Sequence, residues 1–393
     1  MISVKLKDIS LNITDGKHGD CENESNSGFY FVSCKDIYDD CIHYADARQI
    51  TESDFIETHR RTKLEPNDIL ITNSGTIGRM ALVKDIPQTY KTTFQKSVAI
   101  VKPNQQIVRP AYLYYVLRNS VKQFVNESNG AAQKNLLLGT MREFSLVIEE
   151  DFCKQDRICY ILQTYDRLIE NYQRQIKLLE EMAQRLYKEW FVNYRFPDYE
   201  NLEFVDGIPA EWKIKKLSEI ADVIMGQSPK SEFYNCEKKG LPFHQGVGTY
   251  GTRYVQDETY TTSYTKIADA NSILFSVRAP VGRLNISKNK IVIGRGIAAI
   301  NSKDGNQSFL YYMLKEKFFK DDILGNGAIF ASISKNELLN LSFLMPNSNI
   351  ILEFESIVEV IDRKLDVIDI QLKKLIEARD RLLPKIINGE VEL

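Results

Sequence analysis

The chain has 393 residues, of which 43% are hydrophobic and 26% are charged, and its formal net charge is −2. This composition is typical of a globular protein, and the length is sufficient for two domains that each bury a core. The charge excludes a uniformly basic surface, but it does not exclude a local basic face. No apolar run reaches the ~20 residues that a membrane-spanning helix needs. The first residues also lack a signal-peptide pattern, so the sequence predicts a cytoplasmic protein.

Residues 1–150 are predicted to form a mixed α and β domain. Short apolar runs, separated by Gly, Asn, Pro and Ser, predict strands at residues 29–32, 69–72 and 98–101. The pattern of residues 111–124 predicts a helix among these strands.

Residues 151–197 are predicted to form one long helix. From residue 158 onward, apolar side chains recur in alternating steps of four and three, which is the spacing of a coiled-coil seam. The predicted seam consists of Ile158, Leu162, Tyr165, Ile169, Tyr172, Ile176, Leu179, Leu186 and Trp190. A stripe of this kind must be buried against a partner.

Residues 198–346 repeat the first domain at an offset of roughly 200 residues, and they include predicted strands at 273–277 and 291–293. The order of the matching segments is kept throughout both halves. The matches pair residues 68–79 with 272–283, 95–100 with 295–300, 113–117 with 310–314, 129–131 with 326–328 and 144–148 with 341–345.

Residues 347–393 are predicted to form a second long helix whose seam repeats the first at an offset of 196 residues. Arg379 interrupts the apolar pattern, and Pro384 is predicted to kink or end the helix. The second seam consists of Val358, Ile361, Leu365, Ile368, Leu372, Leu375, Leu382 and Ile386.

Each long helix follows its own domain, so the simplest arrangement packs the two helices antiparallel with pseudo-two-fold symmetry. The predicted class is α+β, with two mixed domains in tandem that are separated by the coiled-coil helices. Periodicity alone also allows a second interpretation, in which the helices form a coiled coil that only dimerises the chain.

Several fragments, doubled across the chain, resemble the specificity subunit of type I restriction-modification systems. The opening of the second domain carries Gly207-Ile-Pro-Ala-Glu-Trp212 and then Gly226-Gln-Ser-Pro229. The ends of the two helices carry Arg185-Leu-Tyr-Lys-Glu-Trp190 and Leu382-Leu-Pro-Lys-Ile-Ile-Asn-Gly-Glu390. The first half departs from this pattern, because it lacks a counterpart of Trp212 and has Asp15-Gly-Lys-His-Gly19 in place of Gly226-Gln-Ser-Pro229.

The resemblance implies that residues 1–150 and 198–346 are target recognition domains, each reading one half of a bipartite, asymmetric target in double-stranded DNA. The spacers at 151–197 and 347–393 would fix the gap between the halves and dock two modification subunits. Those subunits would use S-adenosylmethionine to methylate adenine, and restriction subunits with ATP and Mg would cleave unmodified DNA. This chain would hold no cofactor and catalyse neither reaction.

The residues themselves also favour a non-catalytic chain. They contain no Pro-Pro pair for a methyltransferase loop, no phosphate-binding loop, no CxxC pair and no HExxH metal motif. Pro197-Asp198 followed by Glu211-Trp212-Lys213 fits a loose nuclease pattern. Asp198 follows a predicted helix and Glu211 opens a domain, so structural roles are favoured. An autonomous nuclease and a protein-binding coiled-coil adaptor stay as alternatives, although an adaptor would not need two α and β domains.

The candidate DNA-contacting residues are basic and amide side chains in predicted loops. Lys and Arg bind phosphates, while Arg on guanine and Gln on adenine suit base reading. Arg79 and Arg283 recur in both halves, which favours phosphate binding or a scaffold role, whereas Arg253 and Arg278 have no basic counterpart and favour base reading. The full set is Lys17, His18, Lys35, Arg79, Gln95, Lys96, Gln133, Lys134, Gln227, Lys230, His244, Gln245, Arg253, Arg278, Arg283 and Arg295.

Overall fold

The computed structural model describes residues 1–127, 135–323 and 332–391. The chain divides into two compact units, of which the first comprises Met1–Asn171 with Gln371–Leu393 and the second comprises Tyr172–Ile370. Each unit therefore contains one α and β domain together with a segment of each long helix. The four predicted segments stay a prediction, because the units cut across both helices.

In residues 1–127 and 135–150, the described part of its domain, the first unit has eleven short strands and four α-helices. The strands are β1 (Ile2–Lys5), β2 (Ser10–Asp15), β3 (Tyr30–Val32), β4 (Ile37–Tyr38), β5 (Cys41–Ile42), β6 (Arg48–Gln49), β7 (Ile69–Thr72), β8 (Met80–Leu82), β9 (Thr92–Phe94), β10 (Val98–Pro103) and β11 (Ser145–Ile148). The helices are α1 (Glu52–Thr62), α2 (Pro110–Asn119), α3 (Val121–Glu127) and α4 (Leu138–Glu143).

The core sheet of the first unit has the strand order β2-β10-β7-β8 and is covered on both faces. Ile69 and Ile71 pack with Tyr112 of α2 on one face, whereas Leu70 and Ile100 pack in a second cluster on the other. Burial of both faces explains why residues 69–72 form a continuous apolar run instead of an alternating one. Next to this sheet, β3 pairs in parallel with β9.

The predicted helix at 111–124 is divided in the structure. Helix α2 ends at Asn119, and Ser120 donates a side-chain hydrogen bond of 3.0 Å to the carbonyl of Val116 before α3 begins. A serine that bonds the preceding turn in this way competes with the helical backbone pattern.

The long helices are α5 (Phe152–Phe191) and α9 (Ser348–Ile387), each of 40 residues. Asp166 of α5 lies 2.9 Å from Arg379 of α9, while the ring of Phe354 lies 5.1 Å from that of Phe191. The start of each helix thus meets the end of the other, which confirms the antiparallel pair.

Every predicted seam residue is buried or half-buried in the structure. Arg379 is buried too, because the carboxylates of Asp40, Asp166 and Asp380 surround its guanidinium. Of the two effects predicted for Pro384, an end of the helix at this residue does not occur, since α9 continues to Ile387. A proline in the final turn removes only one backbone hydrogen bond and leaves the rest of the helix intact.

Along the chain, the α and β domain of the second unit lies between α5 and α9, and it repeats the construction of the first. Its strands are β12 (Phe204–Val205), β13 (Ile208–Pro209), β14 (Lys213–Lys216), β15 (Ala221–Met225), β16 (Tyr234–Asn235), β17 (Leu241–His244), β18 (Tyr260–Thr261), β19 (Ile267–Ala268), β20 (Ile273–Ser276), β21 (Leu284–Ile286), β22 (Ile291–Ile293), β23 (Ile297–Ser302) and β24 (Ser342–Met345). Its helices are α6 (Leu217–Ile220), α7 (Gln307–Ile323) and α8 (Lys335–Leu339).

The sheet order β15-β23-β20-β21 reproduces that of the first unit and confirms the tandem repeat. The strand pairs also correct one predicted match by a residue. Val98 pairs with Thr72 in the first unit, and Ile297 pairs with Ser276 in the second. Since Thr72 and Ser276 match, the counterpart of Arg295 is Lys96 and not Gln95. The predicted match is displaced by one residue because runs of small apolar residues, at 98–100 and 297–300, can be aligned in more than one way.

Candidate nucleic-acid interface

Four chain segments of the second unit end at one edge of its sheets. Gln227 follows β15, Gln245 follows β17, Arg278 follows β20 and Arg295 follows β22. Backbone hydrogen bonds join these ends: the amide of Gly296 donates to the carbonyl of Gln245 at 3.0 Å. The amide of Gln227 donates to the carbonyl of Ile293 at 2.9 Å. The backbone therefore fixes this edge, and the side chains project from a rigid frame.

Three predicted residues of this edge, Gln245, Arg278 and Arg295, line one cleft of about 150 Å³. All three side chains are exposed. The remaining lining residues are small or apolar, so the cleft presents two guanidinium groups and one amide without a carboxylate among its lining residues. These groups suit a polyanion with hydrogen-bonding edges, because guanidinium binds phosphate or guanine and a carboxamide matches adenine.

Close backbone packing explains the glycines of this edge. A Cβ atom on Gly296 would lie 2.4 Å from the carbonyl oxygen of Gln245, and one on Gly226 would lie 2.1 Å from that of Gly294. The same demand exists in the first unit, where a Cβ on Gly16 would lie 1.9 Å from the carbonyl oxygen of Phe94. The glycines of the Gly294-Arg295-Gly296 turn are thus explained by close packing of the backbone.

The first unit has the same edge with different side chains. The amide of Gln95 bonds to the carbonyl of Val32 at 2.9 Å, as that of Gly294 bonds to the carbonyl of His244 at 2.8 Å. This match makes Ser33 the counterpart of Gln245.

A second pair of matching contacts fixes the counterpart of Arg278. Ser74 forms a bridge with Asn135, and Arg278 forms the equivalent bridge with Ser332. The sequence match of residues 68–79 with 272–283 already pairs Ser74 with Arg278. Ser33 is covered by no sequence match, and only the hydrogen-bond frame identifies it as the counterpart of Gln245. At the three cleft positions, the first edge therefore carries two serines and Lys96, and the second carries Gln245, Arg278 and Arg295.

One predicted residue of the first unit, Lys17, is already paired with acidic side chains. The ammonium group of Lys17 lies 3.4 Å from Asp54 and 3.3 Å from Glu57, both in α1. Burial alone would lower the pKa of Lys17, but its hydrogen bonds to these carboxylates raise it. Lys17 is therefore a poor phosphate ligand in this structure, since its charge is compensated.

The remaining predicted residues of the first unit differ in exposure. His18 is exposed and lies 2.9 Å from Asp15. Gln95 is half-buried and accepts a hydrogen bond from Ser97. The exposed candidates are Lys35, Arg79 and Lys96, whereas Gln133 and Lys134 lie outside the described residues.

Arg79 and Arg283 occupy the same turn in the two units. The hydroxyl of Thr72 accepts a hydrogen bond from the amide of Arg79 at 2.9 Å, and the hydroxyl of Ser276 accepts one from the amide of Arg283 at 2.8 Å. Both arginines are exposed. Gln227 and Lys230 of the second unit are exposed as well.

The structure contradicts the predictions for His244 and Arg253. The imidazole of His244 is fully buried between Thr249 and Asp257, at 2.8 and 3.0 Å. It is therefore closed to DNA and serves the core of the second unit.

Arg253 is only 4% exposed, and its guanidinium lies 3.0 Å from Glu180 and 2.6 Å from Asp362. Burial would lower the pKa of Arg253, but Tyr312 and the carboxylates raise it, so the guanidinium stays charged. Arg253 joins its domain to both long helices instead of reading bases. The sequence could not show this, because the two acids lie 73 and 109 positions away.

The nuclease pattern gains no geometric support. Asp198 has a left-handed backbone with a φ of 61° and precedes a short turn, while Glu211 accepts a hydrogen bond of 3.1 Å from Asn347. Across residues 1–127, 135–323 and 332–391, no group of three His, Cys, Asp or Glu side chains is placed to hold a metal ion. In the same ranges, no helix has the length and apolar character needed to cross a membrane.

Comparison with known proteins gives one consistent family. Residues 3–181 and 209–378 both match the family described as type I restriction modification DNA specificity domain. A protein of Methanocaldococcus jannaschii, provisionally named the type I restriction enzyme MjaX specificity subunit, is 27% identical over 99% of this chain and 93% of its own. The HindI specificity subunit of Haemophilus influenzae is 24% identical over 74% of this chain and 80% of its own.

The fold has a solved counterpart. The crystal structure of the type I restriction-modification S subunit from M. genitalium aligns with 98% of this chain and 96% of its own, with a TM-score of 0.56 and 14% identity. At this identity the likeness shows the fold alone.

Proposed function

The chain belongs to the type I restriction modification DNA specificity domain family and is a specificity subunit of such a system, and from this premise we propose that each unit reads one half of a bipartite DNA target. The observation that carries the proposal is the pair of matching edges. The hydrogen-bond frame recurs, while the side chains at three equivalent cleft positions differ. A protein that reads two different half-sites needs this combination of constant backbone and variable side chains.

The edge residues divide into two classes by their recurrence. Arg295 and Lys96 are both basic, and so are Arg283 and Arg79. A cation that recurs in domains with different targets suits phosphate binding, which carries no sequence information. The residue equivalent to Arg278 in the first unit is Ser74, and the residue equivalent to Gln245 is Ser33. These non-recurrent residues are the proposed base readers of the second unit, with guanine for Arg278 and adenine for Gln245.

The long helices offer docking faces for partner subunits. Each helix carries large apolar side chains that are exposed although the seam is buried, and such side chains mark protein contacts when they line one element. They are Tyr160, Leu168, Leu178 and Met182 on α5, and Leu352, Ile357, Val360, Val367 and Ile370 on α9. We assign these faces to two modification subunits, which would bring S-adenosylmethionine. Restriction subunits would bring ATP and Mg, and the chain itself would act in the cytoplasm without catalysis.

The test is long-read methylation sequencing of DNA from cells that express the chain with its neighbouring modification subunit. Cells that lack only this chain are the control. The expected result is methyladenine in a split motif of fixed gap that requires the chain. Replacing residues 1–150 with those of another family member should then change one half of the motif. A complex that forms but leaves no new motif would refute the proposal and favour the protein-binding adaptor.

A further inference from the structure

The two units carry opposite charges at the tip of the same hairpin. In the first unit, Ile37 pairs with Ile42 across β4 and β5, directly after the turn Cys34–Asp36. In the second, Tyr250 pairs with Val255 directly after the turn Val247–Thr249. Asp40 and Arg253 are both the third residue after the first member of the pair. These two residues are called the hairpin tips below.

Each hairpin tip contacts at least one long helix within its own unit. Asp40 lies 3.2 Å from Arg379 of α9 and 2.9 Å from Arg118 of α2. Arg253 lies 3.0 Å from Glu180 of α5 and 2.6 Å from Asp362 of α9. The side chains of Arg253 and Arg379 are 3% and 8% exposed, so water screens neither contact strongly.

The charged residues of the long helices differ between the units in the way that the opposite charges of the tips require. Asp166 and Asp362 hold equivalent seam-flanking positions and are both acidic. The helix residues that distinguish the units are Arg379, whose counterpart is Ala183, and Glu180, whose counterpart is Ile376. An acidic tip therefore meets an added helix cation in the first unit, and a basic tip meets an added helix anion in the second.

We propose that Asp40 and Arg253 are positioning residues that hold each recognition domain in one orientation on the helices through charge pairs of opposite polarity. Exchanged tips would place Asp40 against Glu180 and Asp362, a group of three carboxylates that has Lys315 beside Glu180 but no equivalent of Arg379. Each tip thus fits only its own helix segment. This inference rests on the proposed function, since the orientation of a domain matters here through the DNA half-site that it presents.

The gap between half-sites supplies a readout that stability alone would not change. One added base pair rotates a half-site by roughly 35° about the duplex axis, so a firmly held domain tolerates only one gap. The complex of the full chain with its modification subunit is titrated with three duplexes that carry the target with its native gap, one base pair less or one more. Unfolding of the same samples is followed in parallel.

Three variants and one matched control test the inference. For Arg253→Glu, the preference for the native gap should fall by about tenfold, as the loss of a charge-assisted contact implies. Adding Glu180→Arg should restore it. Asp40→Asn should weaken the preference less, because Arg379 keeps Asp166 and Asp380. The control is Asp39→Asn, an exposed neighbour with the same left-handed backbone, which should leave the preference unchanged.

The outcomes separate the two proposals. A wild-type complex without a preferred bipartite site would overturn the proposed function and this inference with it. A wild-type complex with a sharp gap preference, together with Arg253→Glu and Asp40→Asn variants that unfold more readily but keep that preference, would overturn the inference alone. Should Arg253→Glu fail to fold, the comparison of Asp40→Asn with Asp39→Asn decides.

Discussion

The two recognition edges share a backbone frame and differ in their side chains, whereas the two hairpin tips share a position and differ in charge. At the edges, main-chain bonds such as Gly296 to Gln245 hold the frame, so a side chain can change without loss of structure. At the tips, the side chain itself is the contact, so a change on one side requires a change on the helix. A side chain that differs between the two edges therefore indicates a difference in DNA reading, whereas one that differs between the two tips indicates a matching change on the helix.

The largest effect should come from removing the buried charge of the second tip. Arg253→Met leaves Asp362 partly buried without this cation and leaves Glu180 with Lys315 alone, and breaking a buried pair costs ~3–5 kcal/mol. Hydrogen exchange of α7 amides in rising urea measures the loss in the second unit. Lys290→Met is the matched control, because Lys290 pairs with Asp269 at an exposed site and should cost under about 0.5 kcal/mol. Equal losses for both variants would contradict the structural role of the buried charge at the second tip.

A smaller effect, confined to DNA reading, should follow from a change at the second edge. Arg278→Ala should weaken discrimination at one base pair of one half-site by ~1–3 kcal/mol, roughly 10–100-fold, because one bidentate contact to a base is lost. Ser74→Ala, at the equivalent position of the first edge, should change discrimination less. Competition binding with single-base variants of the target measures both. A uniform loss across all sequences for Arg278→Ala would assign Arg278 to phosphate instead.

The sequence predicts the frame of this molecule better than its contacts. Seam spacing and apolar runs gave both long helices, the tandem repeat and the loop positions of Gln245, Arg278 and Arg295, because each signal is local or repeats at a fixed offset. It misassigned Arg253 and His244, since a lone basic residue in a loop looks the same whether it faces water or distant acids. It also missed Ser33 as the counterpart of Gln245, because no matching segment covers residue 33 and only backbone hydrogen bonds relate the two positions.

Lys96 and Arg295, the basic residues that recur at equivalent edge positions, should contribute alike to DNA affinity in the two units. Lys96→Gln and Arg295→Gln should each weaken binding of all sequences to a similar degree. Each should also reduce the dependence of log affinity on log salt by about 0.9, the slope of one phosphate contact. Affinity measured between 50 and 200 mM salt, on target and random duplexes, checks this prediction. A loss of sequence preference in either variant would contradict phosphate binding.

The smallest effect should be a pH dependence that belongs to the first unit alone, since α1 carries a half-buried histidine and has no equivalent helix in the described part of the second unit. Burial lowers the pKa of His59 below its ordinary value of 6.5, and its ring packs 4.8 Å from that of Phe55. Above pH 6.5 the ring is neutral in both the folded and unfolded states, so it imposes no penalty. As the pH falls through 6.5, the unfolded state gains a proton before the folded state, and the stability of α1 falls. Hydrogen exchange of α1 amides should therefore quicken between pH 7.5 and 5.5, after correction for intrinsic rates. His59→Leu should abolish this acid-specific change, whereas a change that persists in His59→Leu would assign it to another group.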